Sequence, residues 1–588
     1  MIHYTIVPDD LAGHLFSVTL TLEQASHHQI LSLPNWLPGS YLIRDFSKNI
    51  LSLSAVDTQN QDIPIEALSK NKWQLQNASG QITISYQVYA WDLSVRTAHL
   101  DQTHGFFNGS SVFLCVDDQA HLPCTVTIKK PEAAAYQHWQ IATGMPRQEG
   151  EMFAEGVFRA EHYEALIDYP VEMGTLDIYA FEVASVPHYL VLSGRHFSDG
   201  ERICRDLTRI CQAEIDLFGG QAPFDTYLFL TRVVDQGYGG LEHCNSTALL
   251  CARADLPSQE QTEIDDAYLT FLGLCSHEYF HNWNIKRIKP AEFIPYQLDN
   301  ETYTKQLWAY EGITSYYDDL ILLRCGLIDQ NRYLGLVAKN ITRVIRGQGR
   351  FKQTLTESSW HAWTKFYQQD ENAMNAIVSY YTKGALFAMY LDLTLRVRSQ
   401  NQVNLDHLMQ ELWTHFGKKN IGTLDDTHQH IVEKLTGQDF KDVFAYLDRV
   451  DDLPLNDVFK QFGIEQSFRP QQSAQDAGGV FDNPQPKVHW GARLQAVPNG
   501  MKVINVEQSS MAANAGISAG DILVAMAGLC VKRHPVETLL QHQQQASVTC
   551  HWFRRDELMQ ADVKPRPMPN NTVALSISNE QKLTNWLP

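Results

Sequence analysis

The stretch Phe271-Leu-Gly-Leu-Cys-Ser-His-Glu-Tyr-Phe-His-Asn-Trp-Asn-Ile-Lys286 decides how the chain is read. His277 and His281 stand four residues apart, so on a helix they project from one face, one turn above the other. Two neutral imidazoles so placed can take two of the roughly four tetrahedral positions around one zinc ion. Glu278 is rotated off that face. It can reach a water in the metal's open position without ligating the metal, as a general base in a zinc hydrolase must. Two ordinary helix histidines would show the same spacing. Against that stands the apolar approach through Ala267, Leu269, Phe271, Leu272 and Leu274, because a buried helix needs partners for its polar triplet. Glu311 offers a third ligand in the aromatic, helix-like stretch Trp308-Ala-Tyr-Glu-Gly-Ile-Thr-Ser-Tyr-Tyr317.

Working outward, the pattern predicts a multidomain α+β protein. Residues 1–170 read as an antiparallel β domain, with alternation at Leu15 to Leu22 and Gln81 to Tyr89. The rigid, aromatic stretch from Leu33 to Tyr41 either faces the active site or is a packed turn, and packing is the favoured reading. Residues 171–468 form the catalytic region, with helical periodicity at 262–285, 304–324, 331–346, 376–399 and 404–416. Before the first of these helices, Tyr227 to Leu230 reads as a buried strand leading into Gln236-Gly-Tyr-Gly-Gly-Leu-Glu-His243. There Gly239 and Gly240 let backbone approach a ligand, and Glu242 can receive a cation; a glycine-rich hairpin with a solvated Glu is the plain alternative. Tyr381 opens a buried helix and either presents its hydroxyl to a substrate or caps a core. Residues 469–487 read as a linker, 488–568 as a compact unit with strands near 501–506 and 520–526, and 569–588 as a tail.

Composition narrows the function. The 588 residues carry a net charge of -20, which argues against nucleic acid or an anionic membrane as main partner. The ten cysteines form no Cys-x-x-Cys and several sit in apolar runs, as buried thiols of a reducing compartment do. The first ten residues lack the features of a signal peptide, and no apolar run approaches the roughly 18 residues of a membrane span. A cytoplasmic protein is expected.

His277-Glu-Tyr-Phe-His281 with Glu311-Gly312 resembles the gluzincin metallopeptidases. Gly239-Gly-Leu-Glu-His243 is similar to the exopeptidase loop of the large zinc aminopeptidases, and Tyr381-Thr-Lys-Gly-Ala385 to their Tyr-x-Lys-Gly segment. The chain as a whole resembles metallopeptidase family 61, the glycyl aminopeptidases with a C-terminal PDZ domain. Trp36-Leu-Pro-Gly-Ser-Tyr41, the Asn282 to Arg287 extension, and the 510–516 and 520–523 signatures carry that likeness. It implies a thermolysin-like, mainly helical zinc peptidase domain and a C-terminal PDZ-like domain. It implies one Zn²⁺ held by His277, His281 and Glu311, with Glu278 as base and Tyr381 stabilising the oxyanion. Glu242 would bind the substrate α-ammonium, with Gly239 and Gly240 offering backbone. The expected activity is release of small N-terminal residues, Gly or Ala, from peptides with a free N-terminus. The PDZ-like unit would take a peptide or C-terminus by strand addition, the Gly500-Met501 turn receiving the carboxylate.

Two departures stand out. The gap from His281 to Glu311 (282–310) holds 29 residues, longer than is usual in the large aminopeptidases, and leaves the 287–303 loop without a counterpart. The exopeptidase loop also ends in His243 instead of Asn. The rivals are a PDZ-targeted zinc endopeptidase, which would cleave N-acetylated peptides equally well, and a non-catalytic PDZ scaffold, which would show a broken motif.

Overall fold

The structure, a computed structural model, describes residues 2–473, 475–481, 488–542 and 547–588. The chain parts into two compact units, 1–302 with 409–423, and 303–408 with 424–588. The units divide at 302/303 and around 409–423, inside the expected catalytic region 171–468.

In the first unit, alternation builds the sheets. Ile2–Asp10 buries Ile2, Tyr4 and Ile6, and Leu15–Ala25 buries Phe16, Val18, Leu20 and Leu22. These strands lie at the middle of a seven-stranded sheet, joined by two four-stranded sheets. The domain is not wholly antiparallel: Ile2–Asp10 pairs in parallel with Cys124–Ile128. Over a hundred residues separate those strands, ample for the long crossover that a parallel pair needs. The last of these strands, Val171–Gly174, runs past residue 170.

Next comes a five-stranded sheet in the order Leu176–Val183, Val186–Ser193, Tyr227–Val234, Ser246–Ala252, Tyr238–Glu242. Its central strands are parallel and almost wholly buried, while Tyr238–Glu242 is an antiparallel edge strand. The motif helix, Asp266–Phe280, packs against this edge. It is shorter than the periodicity predicts. Asp265 caps it, its side chain accepting from the Tyr268 amide, and His281 forms the C-cap with right-handed helical backbone. Beyond it the chain turns, with Ile285 at φ 96° and Trp283 stacked on Phe218 at 4.6 Å.

In the second unit a π-helical turn, Trp308–Gly312, feeds the helix Ile313–Arg324. Thr382–Arg398 is buried around nearly its whole circumference, as a central core helix is. It begins six residues later than expected because Ile377 is extended (φ -122°, ψ 158°).

The linker and tail expectations need correction. Ile464–Pro470, which reaches into the linker, pairs antiparallel with Asn570–Ile577 from the tail. That ladder sits on helix Gln330–Arg346, where the Val573 amide donates to Thr342 Oγ1 at 2.9 Å. Leu583, Trp586 and Leu587 are buried, and Trp586 Nε1 donates to the Tyr316 hydroxyl at 3.1 Å. The segment 569–588 is therefore part of the fold, anchored by Val573, Leu575, Leu583, Trp586 and Leu587. Linker positions 474 and 482–487 lie outside the described residues.

Between these strands lies a module with strands Ala492–Val497, Gly500–Val506, Ile522–Met526, Val548–Arg554 and Glu557–Val563 around Trp490, Val503, Leu523 and Trp552. Gly500 and Met501 do not form an open carboxylate loop. They pair with Val497 and Ala496 in a hairpin, and a Cβ on Gly500 would meet the Leu523 carbonyl at 2.5 Å. Among the described residues no helix is long and apolar enough to cross a membrane.

Candidate active site

The motif helix brings its two imidazoles face to edge, with ring centroids 4.6 Å apart and planes at 89°. His281 Nδ1 lies 2.8 Å from the Asn284 carbonyl. A carbonyl only accepts, so Nδ1 carries the proton and Nε2 keeps its lone pair. That Nε2 faces His277 Nε2 at 3.0 Å. Two nitrogens each about 2.0–2.1 Å from one tetrahedral ion would sit roughly 3.3 Å apart, so the pair is close to a ligand geometry.

Glu278 is buried beside the edge strand, and Gly240 makes room for it. A Cβ at Gly240 would lie 2.0 Å from Glu278 Oε1, so any side chain there would displace the carboxylate. Arg96 Nη2 donates to the Gly240 carbonyl at 3.0 Å. Backbone groups alternate in direction along an antiparallel strand, so Gly240 faces outward and Gly239 belongs to the ladder with Leu250. Of the two glycines, Gly240 alone turns its backbone away from the sheet.

Glu242 ends the edge strand and is buried. Gly39 of the N-terminal turn lies directly against it: a Cβ on Gly39 would meet both carboxylate oxygens at 2.6 Å. The turn therefore packs, as expected, and also reaches the site.

His243 has a different task. Asp168 accepts from Lys286 Nζ at 2.6 Å and from the Cys244 amide at 2.9 Å, with His243 Nδ1 at 3.3 Å. Burial works to raise the Asp168 carboxyl, but the Lys286 charge and then the His243 bond hold it far below the usual range. Arg287 donates to the carbonyls of Asn282, Pro223 and Cys244. The Asn282 to Arg287 extension thus fastens the end of the motif helix to the turn after Glu242.

Glu311 and Tyr381 are set together by glycine as well. A Cβ on Gly312 would meet the Gly384 backbone at 2.6 Å, and one on Gly384 would meet Gly312 Cα at 2.9 Å. Helices without Cβ atoms at the crossing can touch backbone to backbone, which brings Glu311 near Tyr381. The π turn carrying Glu311 is a local irregularity of the kind concentrated at functional sites. Tyr381 stacks on Phe366 at 5.5 Å and lies 4.8 Å from the Tyr380 ring. Burial first, then the Glu311 charge, with a side-chain hydrogen bond to Tyr367, push its hydroxyl well above the ordinary range, so it stays a donor.

Ligand atoms of His277, His281 and Glu311 all lie within 4.8 Å of one another, the one such His/Cys/Asp/Glu group among the described residues. Two imidazoles and a buried carboxylate are a donor set suited to zinc. The sequence reading missed Gly39 as a neighbour of Glu242, and also Arg96, Asp168 and Tyr367. The Pro38-Gly39-Ser40 turn signalled the first; nothing local signals the other three.

The Peptidase M61 N-terminal domain matches residues 3–175, and M61 glycyl aminopeptidase matches 270–387. The crystal structure of an aminopeptidase N family protein from Idiomarina loihiensis is 48% identical over all of both chains, with TM-score 0.97. The chain belongs to the M61 glycyl aminopeptidase family. As a member it is a metallo-aminopeptidase, a peptide hydrolase. An M1 zinc metallopeptidase from Deinococcus radiodurans shares the fold at 12% identity, with 77% of this chain and 94% of that one covered and TM-score 0.50. No curated protein matches. The fold is thus multidomain α+β, an N-terminal β-rich part with a helical part resembling zinc peptidases.

Proposed function

We propose that this M61 protein is a zinc aminopeptidase that releases small N-terminal residues, Gly and Ala, from peptides. The observation that carries the reading is the convergence of His277, His281 and Glu311 within 4.8 Å. One zinc ion held there would supply a Lewis acid that acidifies a water and polarises the scissile carbonyl. Glu278, kept over Gly240, accepts the water's proton and returns it to the leaving amine. Tyr381, protonated and stacked on Phe366, donates a hydrogen bond to the developing oxyanion. Glu242 holds the α-ammonium, which fixes the cut at a set distance from a free N-terminus. Gly240 offers backbone to the peptide, while Gly239 serves the ladder.

The module 488–568 is, on this reading, a PDZ-like peptide-binding unit. Supporting this are the Ser510-capped helix Met511–Asn514, the left-handed Gly516 after it (φ 80°) and a strand, Ala492–Val497, that ends its sheet and pairs on one side only among the described residues.

The test is hydrolysis of glycyl and alanyl para-nitroanilides with and without a chelator, beside a free and an N-acetylated peptide. Chelator-sensitive cleavage of free N-termini alone is expected. Equal cleavage of the acetylated peptide would remove Glu242 from its role and leave an endopeptidase.

A further inference from the structure

We propose that the turn 36–41 sets the specificity of this site, with Gly39 walling off the space beside Glu242 so that only small N-terminal side chains fit. The inference rests on the aminopeptidase reading and names the residue that enforces its preference. Gly39 has φ +90°, and a Cβ there would lie 2.6 Å from both Glu242 oxygens and 2.7 Å from Leu241 Cδ1. The backbone of the turn is therefore packed onto the carboxylate itself. In any aminoacyl substrate the side chain branches from the same carbon that bears the ammonium. Whatever borders the Glu242 carboxylate also borders that side chain.

The wall is held in place. Trp36 is fully buried, and its Nε1 donates to the carbonyls of Gln297 and Asn300, each at 2.9 Å. Asn35 Nδ2 donates to the Asp299 carbonyl, and its amide to the Leu298 carbonyl, both at 2.8 Å. The Tyr41 ring stacks on Phe293 with centroids 5.9 Å apart. All of these partners come from the 29 residues between His281 and Glu311. The long metal-ligand spacing and the Trp-Leu-Pro-Gly-Ser-Tyr turn, separate oddities in the sequence, are two halves of one clasp.

A methylene too many in such a pocket typically costs about 10–200-fold in kcat/KM. The experiment measures kcat/KM on glycyl, alanyl and leucyl para-nitroanilides for the full-length protein, Gly39→Ala and Trp36→Phe. Calorimetry of glycinamide and leucinamide binding to Glu278→Gln gives a readout independent of turnover. Wild type is expected to favour glycyl over leucyl by more than about 100-fold. Gly39→Ala should lose about 100-fold or more on all three through KM, because the new Cβ displaces Glu242. Trp36→Phe removes two hydrogen bonds of the clasp and should raise the leucyl-to-glycyl ratio at least about tenfold. Equal wild-type rates on glycyl and leucyl substrates, or a ratio untouched in Trp36→Phe, would overturn the inference and leave the aminopeptidase standing. Hydrolysis of none of the three would overturn both. If Gly39→Ala does not fold, the Trp36→Phe ratio and the binding data decide.

Discussion

The carboxylates of Glu278, on the motif helix, and Glu242, at the end of the edge strand, and the pair formed by Glu311 and Tyr381 are positioned by the same residue type for different ends. At Gly240 and Gly39 the missing Cβ makes room for a side chain, Glu278 in one case and Glu242 in the other. At Gly312 and Gly384 it lets two helix backbones touch. In the first region glycine shapes chemistry directly; in the second it sets architecture, and chemistry follows. A side chain can swing aside and a backbone cannot, so the two regions should fail differently when perturbed.

The largest effect belongs to the first region. Glu278→Gln should lower kcat by about 10²–10⁴-fold, the usual contribution of a general base, with little change in melting temperature. Steady-state kinetics beside calorimetry checks both halves of that statement. Retention of more than about a tenth of the activity would remove Glu278 from its role.

Removing the fastening between motif helix and edge strand should instead cost stability. Asp168→Asn leaves Lys286 buried without its counter-charge, and such a break typically costs about 3–5 kcal/mol. Chemical denaturation measures it. A loss below about 1 kcal/mol would mean that the pair is solvated in solution.

The glycine contrast itself is sharpened by two matched variants. Gly312→Ala meets backbone at 2.6 Å and should destabilise by about 1–3 kcal/mol, as overpacking does. For Gly240→Ala the nearest atoms belong to the Glu278 side chain, so it should fold nearly as well as wild type and lose activity. If both variants lose stability equally, the distinction between the regions fails.

These regions also differed in how far the sequence revealed them. His277, Glu278 and His281 lie within five residues on one helix, so periodicity alone placed them. Glu311 stood out as a third ligand from its aromatic stretch, but the role of Tyr381 needed a resemblance, because no local rule links it to a residue 70 positions away. The Gly39–Glu242 contact spans some 200 residues, and its only local trace was a Pro-Gly-Ser turn that packing also explains. The tail was misread because a two-stranded ladder and a lone terminal Trp586 give too short a pattern to outweigh their polar neighbours.

The smallest expected effect is a pH dependence shared by both units, each of which holds a buried histidine. Burial lowers His188 and His428 alike to about 4 from an ordinary value near 6.5. Between those values the unfolded chain binds a proton that the folded chain refuses, so stability falls as the pH drops below about 6.5. From pH 7 to 5.5 each group should cost about 1 kcal/mol. His188 holds the Tyr279 hydroxyl at 2.9 Å, so replacing it would also break a bond. His428 makes no hydrogen bond among the described residues and packs against Trp308 at 5.4 Å. Phe is of similar size and cannot titrate, so His428→Phe should leave the pH 7 melting temperature almost unchanged and flatten the acid side by one histidine's share. A variant whose melting temperature falls as steeply as wild type between pH 7 and 5.5 would show that His428 already carries its proton in the native state.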